Sequence, residues 1–192
     1  MLNKENPKLK QLLSTAQDLF FRYGIRRVTV EEICRTAGVS KMTFYKYFNN
    51  KIDLVKNLMK KIYDQAMAEY RQIMAKPIPY AQKIEETIQW KLQQQENISQ
   101  EFIKDYLSSD NEELIQFFQQ KRDEVLKEIL DDYRQAQRQG NIRQDIKPEF
   151  ILYLLNKLTE FYQDDELLKM YKSPQELTKE ILNFFFYGIL TR

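Results

Sequence analysis

The sequence lacks histidine entirely and has a single cysteine among its 192 residues. Without histidine, Ser-His-Asp triads, histidine general bases and histidine metal ligands are excluded. One cysteine permits neither an intrachain disulfide nor a cluster of thiolates around a metal. Any catalysis would depend on carboxylates, Lys, Tyr, Ser or Thr, and we expect no metal and no cofactor.

Helix-breaking residues are also scarce, with 4 glycines and 5 prolines, whereas hydrophobic residues make up 43% of the chain. This composition favours long helices around a substantial core. No stretch reaches the roughly 18 uncharged apolar residues of a membrane span, and the N-terminal residues lack the apolar core of a signal peptide. The sequence therefore predicts an all-α protein of the cytoplasm.

Charge is unevenly distributed along the chain, although the formal net charge is only +2. Residues 1–60 hold 12 Lys and Arg against 5 Asp and Glu, a balance of +7, and the remaining residues have a balance of −5. Basic segments attract polyanions through the release of condensed counterions. Such a segment can also be an ordinary solvated surface, so charge alone does not establish a partner.

Apolar residues that recur at steps of three and four predict a first amphipathic helix over residues 8–23, and capping residues predict two short helices after it. Thr29 and Glu32 form a capping-box pattern that opens the first short helix, which Gly38 ends. Ser40 is placed to cap the second. Two short helices joined by a tight glycine turn are the layout of a helix-turn-helix, whose second helix lies in the DNA major groove.

The second short helix has an inner and an outer face. Phe44 and Phe48 are four residues apart and would point into the core. The outer face combines cations, hydroxyls and aromatic hydroxyls, which can contact phosphates and base edges. Its residues are Lys41, Met42, Thr43, Tyr45, Lys46 and Tyr47.

These residues resemble the DNA-binding domain of the tetracycline-repressor (TetR) family of bacterial transcriptional regulators. The resemblance covers about residues 9–58 and depends on the glycine turn, the Phe44-Tyr45-x-Tyr47-Phe48 run and the lysine that follows. It implies that the residues facing the bases are Lys41, Met42, Thr43 and Lys46. It implies that the residues holding phosphates are Thr29, Ser40, Tyr45, Tyr47 and Lys51.

The resemblance also implies two domains, a DNA-binding domain over residues 1–50 and a ligand-binding and dimerisation domain over residues 51–192. Periodicity predicts six further helices in the second domain, about nine in all. Their approximate ranges are 51–75, 80–95, 99–107, 110–140, 149–165 and 174–190. The last two are unusually apolar, so each must be buried on more than one face, inside the subunit or against another subunit.

For the second domain the resemblance implies a homodimer and a cavity for a small-molecule inducer. The dimer interface would comprise Leu154, Leu155, Leu158, Phe161, Phe184, Tyr187 and Gly188. Residues that could border the cavity are Trp90, Tyr106, Phe117, Tyr153 and Asn156. Packing within the core remains an alternative role for each of these side chains.

Two classes of function follow from these observations. The resemblance implies a repressor without catalytic activity, which binds a palindromic operator as a dimer and releases it when an inducer binds. The alternative is a helical adaptor, or an enzyme without histidine, whose basic N-terminal segment binds another partner. That alternative leaves the outer face of the second short helix unexplained. A redox role for Cys34 is a third hypothesis. It is disfavoured because a lone thiol on a packed helix is usually inert.

Overall fold

The computed structural model describes residues 6–94 and 97–190, except for the side chains at positions 152, 155, 156 and 159. Within these residues the chain forms ten α-helices, one 3-10 helix and no strand, which confirms the all-α prediction. None of the helices in this part of the chain is long and apolar enough to cross a membrane. The α-helices are α1 (Pro7–Tyr23), α2 (Val30–Thr36), α3 (Lys41–Tyr45), α4 (Lys51–Met74), α5 (Tyr80–Gln94), α6 (Gln100–Leu107), α7 (Glu112–Arg138), α8 (Pro148–Leu158), α9 (Asp165–Leu168) and α10 (Pro174–Ile189).

The single helix predicted over residues 149–165 is wrong. The α-helix ends at Leu158 and a 3-10 helix, Thr159–Gln163, follows it. Asp164 then has an extended backbone and its carboxylate accepts hydrogen bonds from two N–H groups of α9, at 2.9 and 3.0 Å. An N-cap interrupts the previous helix because the capping residue leaves the helical conformation. Because of this N-cap, the described residues contain ten α-helices where the sequence predicts about nine.

The chain divides into two compact units. The first, here called the head unit, comprises Met1–Asp64 and Asn97–Phe118. The second, the body unit, comprises Gln65–Glu96 and Gln119–Arg192. The head unit therefore includes α6 and the start of α7 together with the helix-turn-helix. The predicted boundary between functional domains after residue 50 stays a prediction.

The core of the head unit forms around the aromatic residues of the short helices. Phe44 and Phe48 are fully buried, and their ring centroids lie 5.6 Å apart. Phe20 of α1 and Leu54 of α4 belong to the same cluster. Burial raises the pKa of the Cys34 thiol, which disfavours the reactive thiolate. This packing fixes α2 and α3 on the longer helices of the unit.

The core of the body unit joins residues of α4, α5, α7, α8 and α10. Ile84 and Ile88, the row predicted to face the core, are buried on α5. Phe185 and Phe186 of α10 are buried in the same cluster. Phe184 and Tyr187 of the same helix are exposed, so the body unit buries only part of the apolar surface of α10.

Candidate nucleic-acid interface

The helix-turn-helix has the capping that the sequence predicts. Thr29 Oγ1 accepts a hydrogen bond from the Glu32 N–H at 3.1 Å, and Ser40 Oγ accepts one from the Thr43 N–H at 3.1 Å. Gly38, between the two short helices, has a φ of +62°. This left-handed conformation is one that glycine adopts at no steric cost. The two hydroxyls therefore satisfy helix ends as well as standing at predicted phosphate positions.

The outer face of α3 is open to solvent. Met42 is 82% exposed and Tyr45 is 56% exposed, and Lys46 is also exposed. Thr43 is half-buried, and its hydroxyl lies 3.0 Å from Ser40 Oγ. Tyr47 is half-buried against the core of the head unit, so only part of its side chain is open to solvent. The structure thus brings six of the predicted residues together on one surface: Lys41, Met42, Thr43, Tyr45, Lys46 and Tyr47.

The basic residues of this surface differ in their electrostatic environment. Lys41 forms an ion pair with Glu31, and this pairing lowers the pKa of the Glu31 carboxyl. Arg27 lies over the ring of Tyr23, at 4.5 Å from its centroid. Lys46 forms no ion pair within the described part of the chain. Lys46 is therefore available to a phosphate or base without breaking an existing contact.

Lys51 is not brought to this surface in the way that the sequence predicts. Its ammonium donates to the backbone carbonyls of Ile25, Arg26 and Val28, at 2.9, 3.2 and 3.0 Å. An ammonium has three N–H donors, so these carbonyls use all of them. Burial lowers the pKa of Lys51. The side chain is a contact between α4 and the loop that follows α1.

The residues predicted to border a ligand cavity are divided between the two units. Tyr106 and Phe117 lie in the head unit, where the hydroxyl of Tyr106 is 2.5 Å from that of Tyr63. Trp90 and Tyr153 lie in the body unit; Trp90 is half-buried, and Tyr153 is exposed. The side chain of Asn156 lies outside the described residues. The predicted set does not form one site within either unit.

A group of tyrosines inside the body unit is not predicted by the sequence patterns. The hydroxyls of Tyr70 on α4 and Tyr80 on α5 are buried, and neither has a hydrogen-bond partner within the described residues. Tyr133 on α7 is buried in the same cluster, and burial raises the pKa of all three phenols. Asp132 lies near the Tyr70 hydroxyl; burial raises the pKa of its carboxyl, and the interaction with Tyr70 lowers this pKa in part. These four residues are here called the tyrosine cluster.

The residues predicted to form the dimer interface also differ in their exposure to solvent. Phe184 is 86% exposed and Tyr187 is 75% exposed on α10, and Phe161 is 41% exposed on the 3-10 helix. Gly188 is exposed, and a Cβ at this position would meet open space. Leu154 and Leu158 are half-buried against the core of the body unit, and the side chain of Leu155 lies outside the described residues. Large exposed apolar side chains on one helix, such as Phe184 and Tyr187 on α10, are typical of an interaction surface.

Sequence comparison identifies relatives of the N-terminal segment. Residues 12–58 match the family of bacterial regulatory proteins called the tetR family. The chain is 32% identical over 65 residues to the HTH-type transcriptional repressor KstR2 of Rhodococcus jostii. The matched residues are 34% of this chain and 32% of that protein. It is 33% identical over 54 residues to the HTH-type transcriptional regulator TtgR of Pseudomonas putida. The matched residues are 28% of this chain and 26% of that protein. The match thus spans about a third or less of these curated relatives.

Structural comparison extends the similarity to the whole fold. The fatty acid degradation regulator FadR from Bacillus halodurans superposes with a TM-score of 0.78 at 19% identity, over 99% of this chain and 100% of that one. The regulatory protein TetR from Rhodobacter sphaeroides superposes with a TM-score of 0.77 at 15% identity, over 96% of this chain and 100% of that one. Identities this low show the fold alone. The helix-turn-helix segment thus matches the tetR family of bacterial regulatory proteins, and the whole chain shares the fold of these solved regulators.

Proposed function

We propose that this protein is a DNA-binding transcriptional regulator that represses its target genes from a palindromic operator. The observation that carries the proposal is the surface of α3, where Met42, Tyr45 and Lys46 are exposed above buried Phe44 and Phe48. A short helix held rigidly by its inner face and open on its outer face can enter the major groove. Its place of action is the cytoplasm, where the bacterial chromosome lies.

The outer residues take different roles in this proposal. Lys41, Met42, Thr43 and Lys46 face base edges, where hydroxyls and cations discriminate between base pairs. Thr29, Ser40, Tyr45 and Tyr47 approach phosphates, which orient the protein but carry no sequence information. Because Thr29 and Ser40 cap α2 and α3, their phosphate contacts would lie at helix N-termini, where an anion is favoured.

Exposed side chains of the body unit support dimerisation through the last two long helices. Phe184 and Tyr187 are a surface that a second copy of α10 covers in a two-fold interface, in which the same patch faces itself. Gly188, with open space at its Cβ position, lets two backbones approach closely. A dimer then presents two copies of α3 to two operator half-sites.

Small-molecule binding is assigned in this proposal to the tyrosine cluster. Buried hydroxyls without partners are rare, because each costs the desolvation free energy of a polar group. A ligand that hydrogen-bonds Tyr70 and Tyr80 removes that cost. Ligand and operator then oppose each other reciprocally, so that the inducer releases the DNA. Trp90, the chain's only tryptophan, lies on α5 with Tyr80 and gives a fluorescence signal for screening compounds.

A gel-shift experiment tests the proposal. Labelled DNA from the region upstream of the protein's own gene is titrated with the protein, with a scrambled duplex of equal length as the control. We expect specific retardation of the upstream fragment at moderate ionic strength. Absence of retardation on any duplex, even at low salt, would contradict DNA binding and favour the adaptor alternative.

A further inference from the structure

The loop between α1 and α2 is held from both sides by charged residues that are distant in sequence. It runs from Gly24 to Val28 and leads directly to Thr29, the N-cap of α2. Ile25 and Val28 are buried and anchor the loop in the core of the head unit. The position and orientation of this loop determine where the first helix of the helix-turn-helix lies in the head unit.

One side of the loop is held by Lys51, from the first turn of α4. Its ammonium binds three carbonyls of the loop, those of residues 25, 26 and 28, at 2.9 to 3.2 Å. If Lys51 turned outward to a phosphate, these carbonyls would lose their donor in a partly buried environment. Polar groups left without partners in such an environment are unfavourable.

The other side is held by Asp105, from the last turn of α6. Its Oδ2 accepts a hydrogen bond from the Arg26 N–H at 2.8 Å, and its Oδ1 lies 3.2 Å from Arg26 Nε. The side chain of Asp105 is 13% exposed. The Arg26 guanidinium also binds Asp110 at 2.9 Å and the Ser108 carbonyl, so this arginine is held by α6 and the residues that follow it.

Two further contacts attach α6 to the same region. The Ser99 N–H, at the start of α6, donates to the Phe21 carbonyl near the end of α1 at 2.8 Å. A Cβ at Gly24 would lie 2.6 Å from Asp105 Oδ2, so the loop backbone and this carboxylate are in close contact. Helices α4 and α6 thus hold the loop between a cation and an anion.

From these contacts we infer that Lys51 and Asp105 are positioning residues, which clamp the α1–α2 loop so that Thr29 and α3 meet DNA in the correct register, and that the Lys51 ammonium binds no phosphate. The inference rests on the proposed DNA-binding function. It differs from the role that the family resemblance implies for Lys51. Lys51 and Asp105 act through the loop, whereas Lys46 contacts the nucleic acid itself.

Salt dependence of binding distinguishes the two roles of lysine. A lysine that neutralises a phosphate contributes about 0.9 to the slope of log affinity against log salt concentration. Lys46→Met and Lys51→Met each remove one charge and keep an unbranched side chain. We expect Lys46→Met to reduce the slope by about 0.9 per subunit. We expect Lys51→Met to leave the slope unchanged while lowering affinity at every salt concentration, by roughly tenfold if the loss is like that of groups that orient metal ligands.

Asp105→Asn gives a second test, because electrostatic repulsion alone and the clamp predict opposite changes in DNA affinity. Removing a negative charge from the head unit strengthens DNA binding if electrostatic repulsion is all that matters. The clamp instead predicts weaker binding, because the charged acceptor of Arg26 is lost. Asp18→Asn, which changes a carboxylate on α1, is the matched control and should bind as tightly as the wild type or slightly more tightly.

Each variant is measured by fluorescence anisotropy on the duplex that the wild type retards, below the onset of thermal unfolding seen by circular dichroism. The inference is overturned if Lys51→Met reduces the slope as much as Lys46→Met does, or if Asp105→Asn binds DNA more tightly. If Lys51→Met does not fold, Asp105→Asn decides alone. Wild-type protein that binds no duplex overturns the proposed function and the inference together.

Discussion

Asp132 shows how a single residue of the tyrosine cluster affects stability. Burial raises the pKa of its carboxyl above the ordinary value of 3.8, so the folded chain binds this proton more tightly than the unfolded chain. Between the two pKa values, stability therefore falls as the pH rises. We expect Asp132→Asn, which removes the buried charge but keeps an oxygen near Tyr70, to raise the melting temperature at pH 7. Thermal unfolding followed by circular dichroism measures this difference.

A pH series and a neighbouring carboxylate are the controls for this prediction. The gain should shrink as the pH falls towards the ordinary pKa of 3.8, because the wild-type carboxyl is then protonated as well. Asp131→Asn, at an exposed position paired with Arg134, should give no gain. A lower melting temperature for Asp132→Asn at pH 7 would show that the carboxylate charge stabilises the body unit, contrary to this interpretation.

We expect Glu31 to limit the availability of Lys41 to DNA. The two side chains form an ion pair on the outer surface of the helix-turn-helix, and such exposed pairs are weak. Glu31→Gln frees Lys41 and removes a negative charge near the phosphates. We expect tighter binding and a salt slope steeper by up to about 0.9 per subunit. Glu112→Gln, an exposed acid elsewhere in the head unit, is the control, and equal behaviour of the two variants would contradict the prediction.

The backbone of the α1–α2 loop is constrained at Gly24. Gly24 has a φ of +84° and a ψ of 160°, a region that only glycine adopts readily. Gly38, in the turn of the helix-turn-helix, also has a positive φ but has open space at its Cβ position. We expect Gly38→Ala to lower the free energy of unfolding by about 1 to 2 kcal/mol. Gly24→Ala should cost more, because its Cβ would also meet Asp105.

Urea unfolding of the two glycine variants provides the measurement, with the change in midpoint at an unchanged slope as the readout. Both substitutions lie in the same compact unit, so they are compared against the same background. Equal losses for the two variants would show that the contact with Asp105 adds no constraint. That outcome would also weaken the description of the loop as clamped.

Local patterns predict the elements better than they predict long-range contacts. The hydroxyl caps at Thr29 and Ser40 could be predicted, because each is satisfied within three residues. The partners of Lys51 could not, because carbonyls 23 to 26 residues away carry no sequence signal. Periodicity places Ile84 and Ile88 in the core, but it does not show whether Tyr70 and Tyr80 find partners for their hydroxyls.

At the scale of the whole molecule, the proposed dimer depends on the exposed aromatic residues of α10. Placing a charge at Tyr187, which is 75% exposed, opposes burial against a second copy but leaves the core of the subunit intact. We expect Tyr187→Glu to be a monomer of 23.3 kDa in light scattering and to lose most of its affinity for the operator. Met170→Glu, also 75% exposed but outside the predicted interface, should remain a dimer.

Selection of DNA by the unmodified protein from a pool of random duplexes is the most direct test of the proposal that a dimer binds a palindromic operator. A dimer that presents two copies of α3 should enrich an inverted repeat, with half-site centres about 34 to 36 Å apart or a multiple of that distance. The operator sequence is then read from the enriched duplexes, whichever genes the protein regulates. We expect such a repeat to be enriched. Failure to enrich any sequence, or enrichment of a motif without two-fold symmetry, would contradict it.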